Sequence, residues 1–565
     1  MTPRLGGTFE GSSCAAAWLC VFAALAAGCA DKQDNQSKAN ESQAESATGP
    51  LAFTDVTERA GLPTPIAVSN PRQILEVKGG GVALFDADLD GDLDLFVPRA
   101  ATLEQPENGP GARLWANEGD WNFRDATGSL DFKRWGMGVA VGDTDADGDD
   151  DIFVACFGRD ALIENKGGLA FGERNDIGLD STAWGMAGAF GDFDLDGDLD
   201  LYVTNYLEFD PANPPPPSNF LGVPVFGGPR PLAAQADLLY RNDDGKFVDV
   251  TDESGCDRVE PSYGLGVVVL DFDQDGKQDI LVGNDSMPNF LFHGVDDLAF
   301  EDVGMMSGLA TNSDGAAQAT MGIAIADVNE DGSPDVFTSN FQSDDNTLHV
   351  GRRGFNFHDS TTSFRLAAIG RRFVGWGALF GDFDHDADED LIVFNGHVYS
   401  EDVAAELGTT RAQKPLYYAR EGKGFRHLLA ADAGDWVSTG LCARGAATGD
   451  LDGDFDLDIV VVEVGGAPRL LRNEASLAEG FIVELSGSPG NLHALGARVH
   501  VIAGEQRQTR WIYTGGGYQS VGAAMAHFAL PPETSTVNVE VNWPDGETQL
   551  LSGVEPRGRL LVSRE

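Results

Sequence analysis

Seven acidic segments of nine residues hold most of the chemistry this sequence can do. They start at Asp86, Asp143, Asp192, Asp271, Asp327, Asp382 and Asp450. Positions 1, 3, 5, 7 and 9 of the first are Asp86, Asp88, Asp90, Asp92 and Asp94; those of the second are Asp143, Asp145, Asp147, Asp149 and Asp151. The third supplies Asp192, Asp194, Asp196, Asp198 and Asp200, and the fourth Asp271, Asp273, Asp275, Lys277 and Asp279. The fifth has Asp327, Asn329, Asp331, Ser333 and Asp335; the sixth Asp382, Asp384, Asp386, Asp388 and Asp390; the seventh Asp450, Asp452, Asp454, Asp456 and Asp458. Positions 1, 3, 5 and 9 offer side-chain oxygens and position 7 a backbone carbonyl. Hard oxygen donors at this alternation suit Ca²⁺, which takes about six to eight of them; Mg²⁺ prefers a tighter octahedron with retained water. No His or Cys occupies a ligand position, which excludes zinc. Up to seven calcium ions are expected, one per loop.

The loops are not equally regular. Glycine at position 6 permits a sharp turn in the first five, whereas Ala387 and Phe455 stand there in the sixth and seventh, with Gly453 two places early. Asn329 is a neutral donor that preserves coordination at lower charge. The same spacing opens an EF-hand, which also needs a bidentate Glu at position 12 and flanking helices. Position 12 is instead Val97, Val154, Val203, Val282, Thr338, Val393 and Val461, each inside an apolar run. The EF-hand reading fails.

The elements that hold the loops repeat with them. Loop starts are spaced by 57, 49, 79, 56, 55 and 68 residues. A glycine-rich apolar segment precedes each loop, as in Trp135-Gly136-Met137-Gly138, and a β-branched or aromatic run follows, as in Leu93 to Val97. Most repeats continue with a second pair of strands, such as Leu239-Tyr240-Arg241-Asn242 and Phe247-Val248-Asp249-Val250-Thr251. Four short strands repeated radially make a propeller, and seven loops predict seven blades over 51–475. The seventh repeat lacks its last strand. The missing motif stands alone at 53–57, Phe53-Thr54-Asp55-Val56-Thr57, and is expected to close the last blade. The 79-residue gap holds an insertion at 206–236 whose Pro214-Pro215-Pro216-Pro217 run cannot lie inside a sheet. Residues 476–565 contain further β-rich runs, Phe481 to Leu485, Arg498 to Ile502, Thr509 to Tyr513, Thr536 to Val541 and Leu560 to Val562, predicting a small β-sandwich or barrel. The fold class is all-β.

Composition narrows the function. With 38 basic and 90 acidic side chains the chain carries −52, so it has no basic stripe for nucleic acid and no electrostatic attraction to anionic lipid. Seven calcium ions would bring that charge to −38. The apolar run Ala15 to Ala27 has the length of a secretory signal core and is short for a membrane span. It ends in Leu25-Ala26-Ala27-Gly28-Cys29, which resembles a bacterial lipoprotein signal, with Leu25 one place earlier than usual. That resemblance implies export, acylation of Cys29 and removal of 1–29. Residues 30–50 read as a flexible tether, and the lipid would be the sole link to a membrane of the cell envelope, at the outer membrane or cell surface. Cys156, Cys256 and Cys442 then remain, an odd number at wide spacing that implies no disulfide framework.

At the acidic loops, 51–475 resembles FG-GAP/VCBS repeat proteins, whose blades carry Asp-x-Asp-x-Asp-Gly-x-x-Asp between their inner strands and whose relatives include integrin α-subunit heads. The tail resembles an ASPIC/UnbV domain through Gly496-Ala497-Arg498-Val499, Gly515-Gly516-Gly517-Tyr518-Gln519-Ser520 and Val541-Asn542-Trp543-Pro544-Asp545-Gly546. Together with Asn395-Gly396-His397-Val398 these identify a cartilage acidic protein-like chain. The insertion lacks the cysteines of many bacterial members, so no disulfide is carried over to it. The resemblance implies calcium-dependent adhesion or protein interaction by a non-catalytic binding or scaffold module, with an unidentified protein or glycan as ligand. The alternative is a lyase or hydrolase acting on polysaccharide. For that, His397 with Tyr399, and Glu164, Arg241 and Arg469 near strand ends, are the residues to locate. A ring centre holding His, Arg and carboxylate together would favour the enzyme.

Overall fold

A computed structural model describes residues 52–62, 71–128, 130–475, 480–531 and 533–564. The signal, the tether and Cys29 lie outside them. The glycine-rich segments become the innermost strands, Ala83–Phe85, Gly136–Gly142, Gly185–Gly191, Gly264–Leu270, Ile323–Ala326, Gly375–Gly381 and Ala443–Gly449. Each heads a sheet of four antiparallel propeller strands, and each lies against the innermost strand of the next sheet, the last against the first. Seven blades close one ring. Glycine lets these inner strands approach: a Cβ on Gly322 would sit 2.0 Å from the Trp376 carbonyl of the next blade.

Closure falls to the chain's first described strand. Phe53–Asp55 pairs antiparallel with Ala467–Asn473, the third strand of blade 7, with Phe53 opposite Asn473. The Phe-x-Asp-x-Thr motif explains itself here. Asp55 Oδ1 accepts the Thr57 amide (3.0 Å) and hydroxyl (2.6 Å), and Thr57 Oγ1 accepts the Leu470 amide (3.0 Å). Asp249 and Thr251 make the same bonds to Leu239 within blade 3. The Phe53 ring packs edge-on against Phe383, Tyr417 and Trp436.

The tail is a two-sheet sandwich. One sheet orders Ala526–Ala529, Gly480–Ser486 and Gly558–Ser563; the other orders Gln506–Trp511, Arg498–Ala503, Val537–Asn542 and Thr548–Val554. The strand at 548–554 was not legible because Thr, Gln, Ser and Gly dilute its apolar alternation, and that at 526–529, Ala-His-Phe-Ala, is too short to show one. A single apolar cluster runs from Phe153, Phe190 and Leu201 of blades 2 and 3 into Phe481, Val499 and Val541 of the sandwich.

More unexpected is the segment from Thr514 to Ala523, which threads the ring. Thr514–Gly515 pairs with Gly264–Leu270 as a fifth strand of the blade 4 sheet. Gly517 donates its amide to Ile323 O (3.0 Å) and accepts the Ala446 amide at its carbonyl (3.0 Å), and the Gln519 carbonyl accepts the Val139 amide (3.1 Å). Val521 bridges Ala83 in parallel. The plug thus satisfies inward-facing backbone groups that a bare inner edge leaves unpaired. Gly517 has φ +51°, and a Cβ there would meet the Ala446 carbonyl at 2.3 Å. The glycine run is what lets the chain fit.

The insertion closes the opposite end of the ring. It leaves blade 3 after Asp200–Asn205, folds a hairpin from Ser218–Phe220 and Val223–Val225, and lays Phe226 against Tyr399 (4.9 Å between centroids) and Phe220 against Phe341 (5.4 Å). Beneath it the Lys78 ammonium pairs with Asp285 at 3.1 Å, and the Arg444 guanidinium lies 4.0 Å over Trp376.

Candidate metal centres

Each acidic loop is held in shape by its own backbone. The Asp86 carboxylate accepts the amides of Asp90 (3.1 Å) and Gly91 (2.9 Å). Asp143, Asp271, Asp327 and Asp382 do the same in their loops. That wrap brings positions 1, 3 and 5 together. Carboxylate oxygens of Asp86, Asp88 and Asp90 all lie within 4.8 Å of one another, as do those of Asp143, Asp145 and Asp147, of Asp192, Asp194 and Asp196, and of Asp271, Asp273 and Asp275.

Two positions per loop are left-handed, not one. Position 6 has φ between +70° and +102°, with Ala387 at +81° and Phe455 at +70°. Position 4 has φ of +57° to +63° at Leu89, Ala146, Leu195, Gln274, Glu330 and His385. Gly453, which looked misplaced, occupies position 4 of the seventh loop with φ +77°. That loop moved its glycine from one left-handed position to the other, and its wrap differs accordingly: Gly453 itself donates to Asp450 at 2.8 Å.

Position 9 has work beyond any ion. Asp200 is fully buried; its two oxygens accept the amides of Phe193 (3.0 Å) and Asn242 (2.8 Å). Asp94 and Asp458 repeat this with Ala87 and Asn117, and with Leu451 and Asn473. The bonded asparagine then reaches the preceding blade. Asn242 Nδ2 donates to the Thr144 carbonyl (2.9 Å), Asn117 to Leu451 (2.9 Å), Asn165 to Ala87 (3.0 Å) and Asn473 to Phe383 (3.0 Å). In blade 6 Arg420 replaces it and donates to the Val328 carbonyl at 2.7 Å. These asparagines were visible as a recurring Leu-x-x-Asn signature, but their role as links between blades was not.

Electrostatically the loops are under stress. Burial, with repulsion from neighbouring carboxylates, pushes Asp192 up to about 6 and Asp271 and Asp327 to about 7. Burial also lifts Asp94 and Asp151 to about 7 and Asp200 to about 8, and drives Asp335, Asp390 and Asp458 well above the usual range. At position 3, the buried oxygens Asp88 Oδ1, Asp145 Oδ1, Asp384 Oδ1 and Asp452 Oδ1 have no hydrogen-bond partner among the described residues, nor do Asp192 Oδ1 and Asp450 Oδ2 at position 1. Desolvated carboxylate oxygens without a hydrogen-bond partner are what a cation would satisfy. Sequence reasoning also missed His293. The third strand of blade 4 sets its Nδ1 3.1 Å from Asp279 Oδ1, close to Asp273 as well.

The tail rests on this crown of loops. Arg559 donates to the Gly91 carbonyl (3.1 Å) and stands 3.8 Å from Asp450; His493 Nε2 is 2.8 Å from Asp150; Arg510 is 3.3 Å from Glu389.

The shortlisted catalytic residues do not converge. His397 is fully buried, pushed down to about 3 by desolvation and then by Arg444, with Nε2 bonded to Gln342 Oε1 (3.0 Å) and Nδ1 accepting the Tyr399 amide (3.2 Å). Glu164 pairs with Lys166, Arg241 with Asp243, and Arg469 with Asp55 and Glu463. At the ring's capped end the Lys78, Arg444 and Asp285 side chains are buried: Lys78 pairs with Asp285, Arg444 donates to the carbonyls of Val77 and Ala443, and Arg444 Nη2 has no partner among the described residues.

Residues 487–565 match the family model described as ASPIC and UnbV, and 143–203 and 271–338 match that of the FG-GAP-like repeat. Cartilage acidic protein 1 of Homo sapiens is 26% identical over 306 residues, covering 53% of this chain and 43% of the relative. The Mus musculus protein of the same name gives 26% over 306 residues and 44% of its length. The chain thus spans less than half the length of these curated relatives. Among solved structures, an Agrocybe aegerita lectin recognising non-reducing terminal N-acetylglucosamine aligns with TM-score 0.38 at 15% identity, over 71% of this chain and 96% of that one. YCF48 bound to D1 peptide aligns with TM-score 0.39 at 8% identity, over 75% and 99%.

Proposed function

We infer that this chain, which carries FG-GAP-like repeats and an ASPIC and UnbV domain, is a calcium-loaded, exported binding or scaffold module without catalytic activity. The observation that carries the calcium reading is the set of buried, partnerless carboxylate oxygens at positions 1 and 3 of the loops. Asp86, Asp88, Asp90 and Asp94, with the carbonyl of Asp92, would hold one ion, and the equivalent residues the others. The ion would supply structural charge balance, with about 10⁻⁴–10⁻³ M affinity of the kind extracellular modules show. The dispersal of His397, Glu164, Arg241 and Arg469 supports a non-catalytic role, and the loop-decorated ring favours an unidentified protein or glycan ligand over nucleic acid. Acylation at Cys29 would place the module at the outer membrane or cell surface.

Calcium content after dialysis at millimolar calcium tests this directly. We expect close to seven ions per chain, and one fewer in Asp88→Ala. A chain that retains none, or whose count ignores Asp88→Ala, sinks the reading. Loss of acyl labelling in Cys29→Ala would support the anchor; labelling that persists would refute it.

A further inference from the structure

Where the tail meets the crown of loops, contact is broken in several places. A cavity of about 230 Å³ opens between loop 4, at Gln274 and Asp275, and the tail residues Arg498, Trp511, Asn542 and Trp543. Of the tail's arginines, Arg507, Arg510, Arg557, Arg559 and Arg564 each have a carboxylate within 4 Å. Arg498 has none among the described residues. Its Nε and Nη2 share the Asn542 Oδ1 at a long 3.3 Å, and burial lowers its affinity for its proton. The carboxylate that acts on it most strongly is Asp271, position 1 of loop 4, which also lines the cavity. With that charge taken up by a loop 4 ion, a half-buried guanidinium is costly unless something else supplies a counter-charge.

The remaining groups define what that something is. Gln274 Nε2 is spent on the Gly332 carbonyl (2.7 Å), which leaves its Oε1 as an acceptor at the cavity. Asn542 Nδ2 is spent on Thr548 Oγ1 (2.9 Å). Trp543 Nε1 is bonded to Gln549, whereas Trp511 Nε1 has no partner among the described residues and remains a donor. A ligand must therefore bring an anionic acceptor for Arg498 and Trp511, a hydroxyl donor for Gln274, and an apolar edge for the indoles. The volume lies below the range of about 300–1,000 Å³ typical for larger ligands, so a single ring fits and a chain of rings does not.

We propose that this cavity binds one uronic acid residue, its carboxylate on Arg498 and its hydroxyls toward Gln274 and loop 4. The site stands on Arg498 and the two indoles and goes beyond the binding-module reading, which names no ligand and no site.

Calorimetric titration of the full chain in calcium buffer with sodium D-glucuronate, and in parallel with D-glucose, tests the assignment. Glucuronate is expected to bind in the millimolar range or tighter and glucose at least tenfold more weakly. Arg498→Gln is expected to lower glucuronate affinity about tenfold or more, as loss of a charge-assisted hydrogen bond does. Trp511→Phe keeps the ring, removes only the donor, and serves where Arg498→Gln does not fold; it is expected to weaken glucuronate severalfold. Equal binding of the two sugars, no binding of either, or unchanged glucuronate affinity in the variants overturns the proposal. Calcium content is read separately, so its failure and this one are distinguishable.

Discussion

The Tyr518 hydroxyl donates to the Lys78 carbonyl at 2.7 Å, joining residues 440 positions apart through the middle of the ring. The Tyr518 ring is fully buried and meets Trp376 edge-on at 4.7 Å. The plug therefore couples the tail, the inner strands and the segment under the insertion. Tyr518→Ala should cost about 3–5 kcal/mol, as large aromatic deletions in a core do. Tyr518→Phe should cost about 1 kcal/mol for one lost hydrogen bond. Urea denaturation of both variants checks the ratio. Equal, small losses would mean that the plug is peripheral.

Asn242 links Asp200 to the Thr144 carbonyl of the preceding blade and also donates to the Leu199 carbonyl. Asn242→Ala orphans buried carbonyls at both places and is expected to destabilise by about 1–3 kcal/mol. The same denaturation measurement applies. A change within error would show that blades hold together by apolar contact alone.

Ala387 is left-handed at φ +81° in a position where five other loops carry glycine. Ala387→Gly removes the Cβ strain and is expected to stabilise by up to about 1 kcal/mol, against the usual cost of adding a glycine. A lower melting temperature in calcium would contradict the strain argument.

Acid should unfold this protein partly through His397. Its folded value of about 3 lies below the ordinary 6.5, so the unfolded chain binds the extra proton between those limits. The stability it contributes is complete above pH 6.5 and is lost as pH falls toward 3, by at most about 1.4 kcal/mol per pH unit. His397→Gln should flatten the stability profile over pH 6.5 to 4.5. A parallel profile in that variant would assign the acid sensitivity elsewhere.

Calcium removal offers the broadest test. With burial raising Asp94, Asp151 and Asp200 to about 7, 7 and 8, ionising them without a counter-ion costs stability. Chelation at pH 8 should lower the melting temperature by many degrees, and readdition of calcium should restore it. An unchanged melting curve in chelator would remove calcium from the account.

Blade number, the loops and the place of the orphan Phe53–Thr57 motif were legible because they rest on local, repeated spacing. A strand, a turn and a carboxylate alternation read the same way in every repeat, and seven loops correspond to seven four-stranded sheets. What stayed hidden depends on pairings between distant residues, which periodicity does not encode. Nothing near Gly515-Gly516-Gly517-Tyr518 in sequence says that it will lie against Val267, Ile323 and Ala446. The proline-rich insertion gave a loop but not a lid, because Phe220 and Phe226 find Phe341 and Tyr399 only once the ring has closed. Position 4 of the loops looked unremarkable, since its left-handed backbone is imposed by the wrap around position 1 and leaves no glycine behind except at Gly453. The sequence by itself determined a ring of aspartate-bearing blades. Tertiary structure alone decided that the tail would fill that ring and leave Arg498 with no ion pair among the described residues, because burial and charge pairing are set by which surfaces meet.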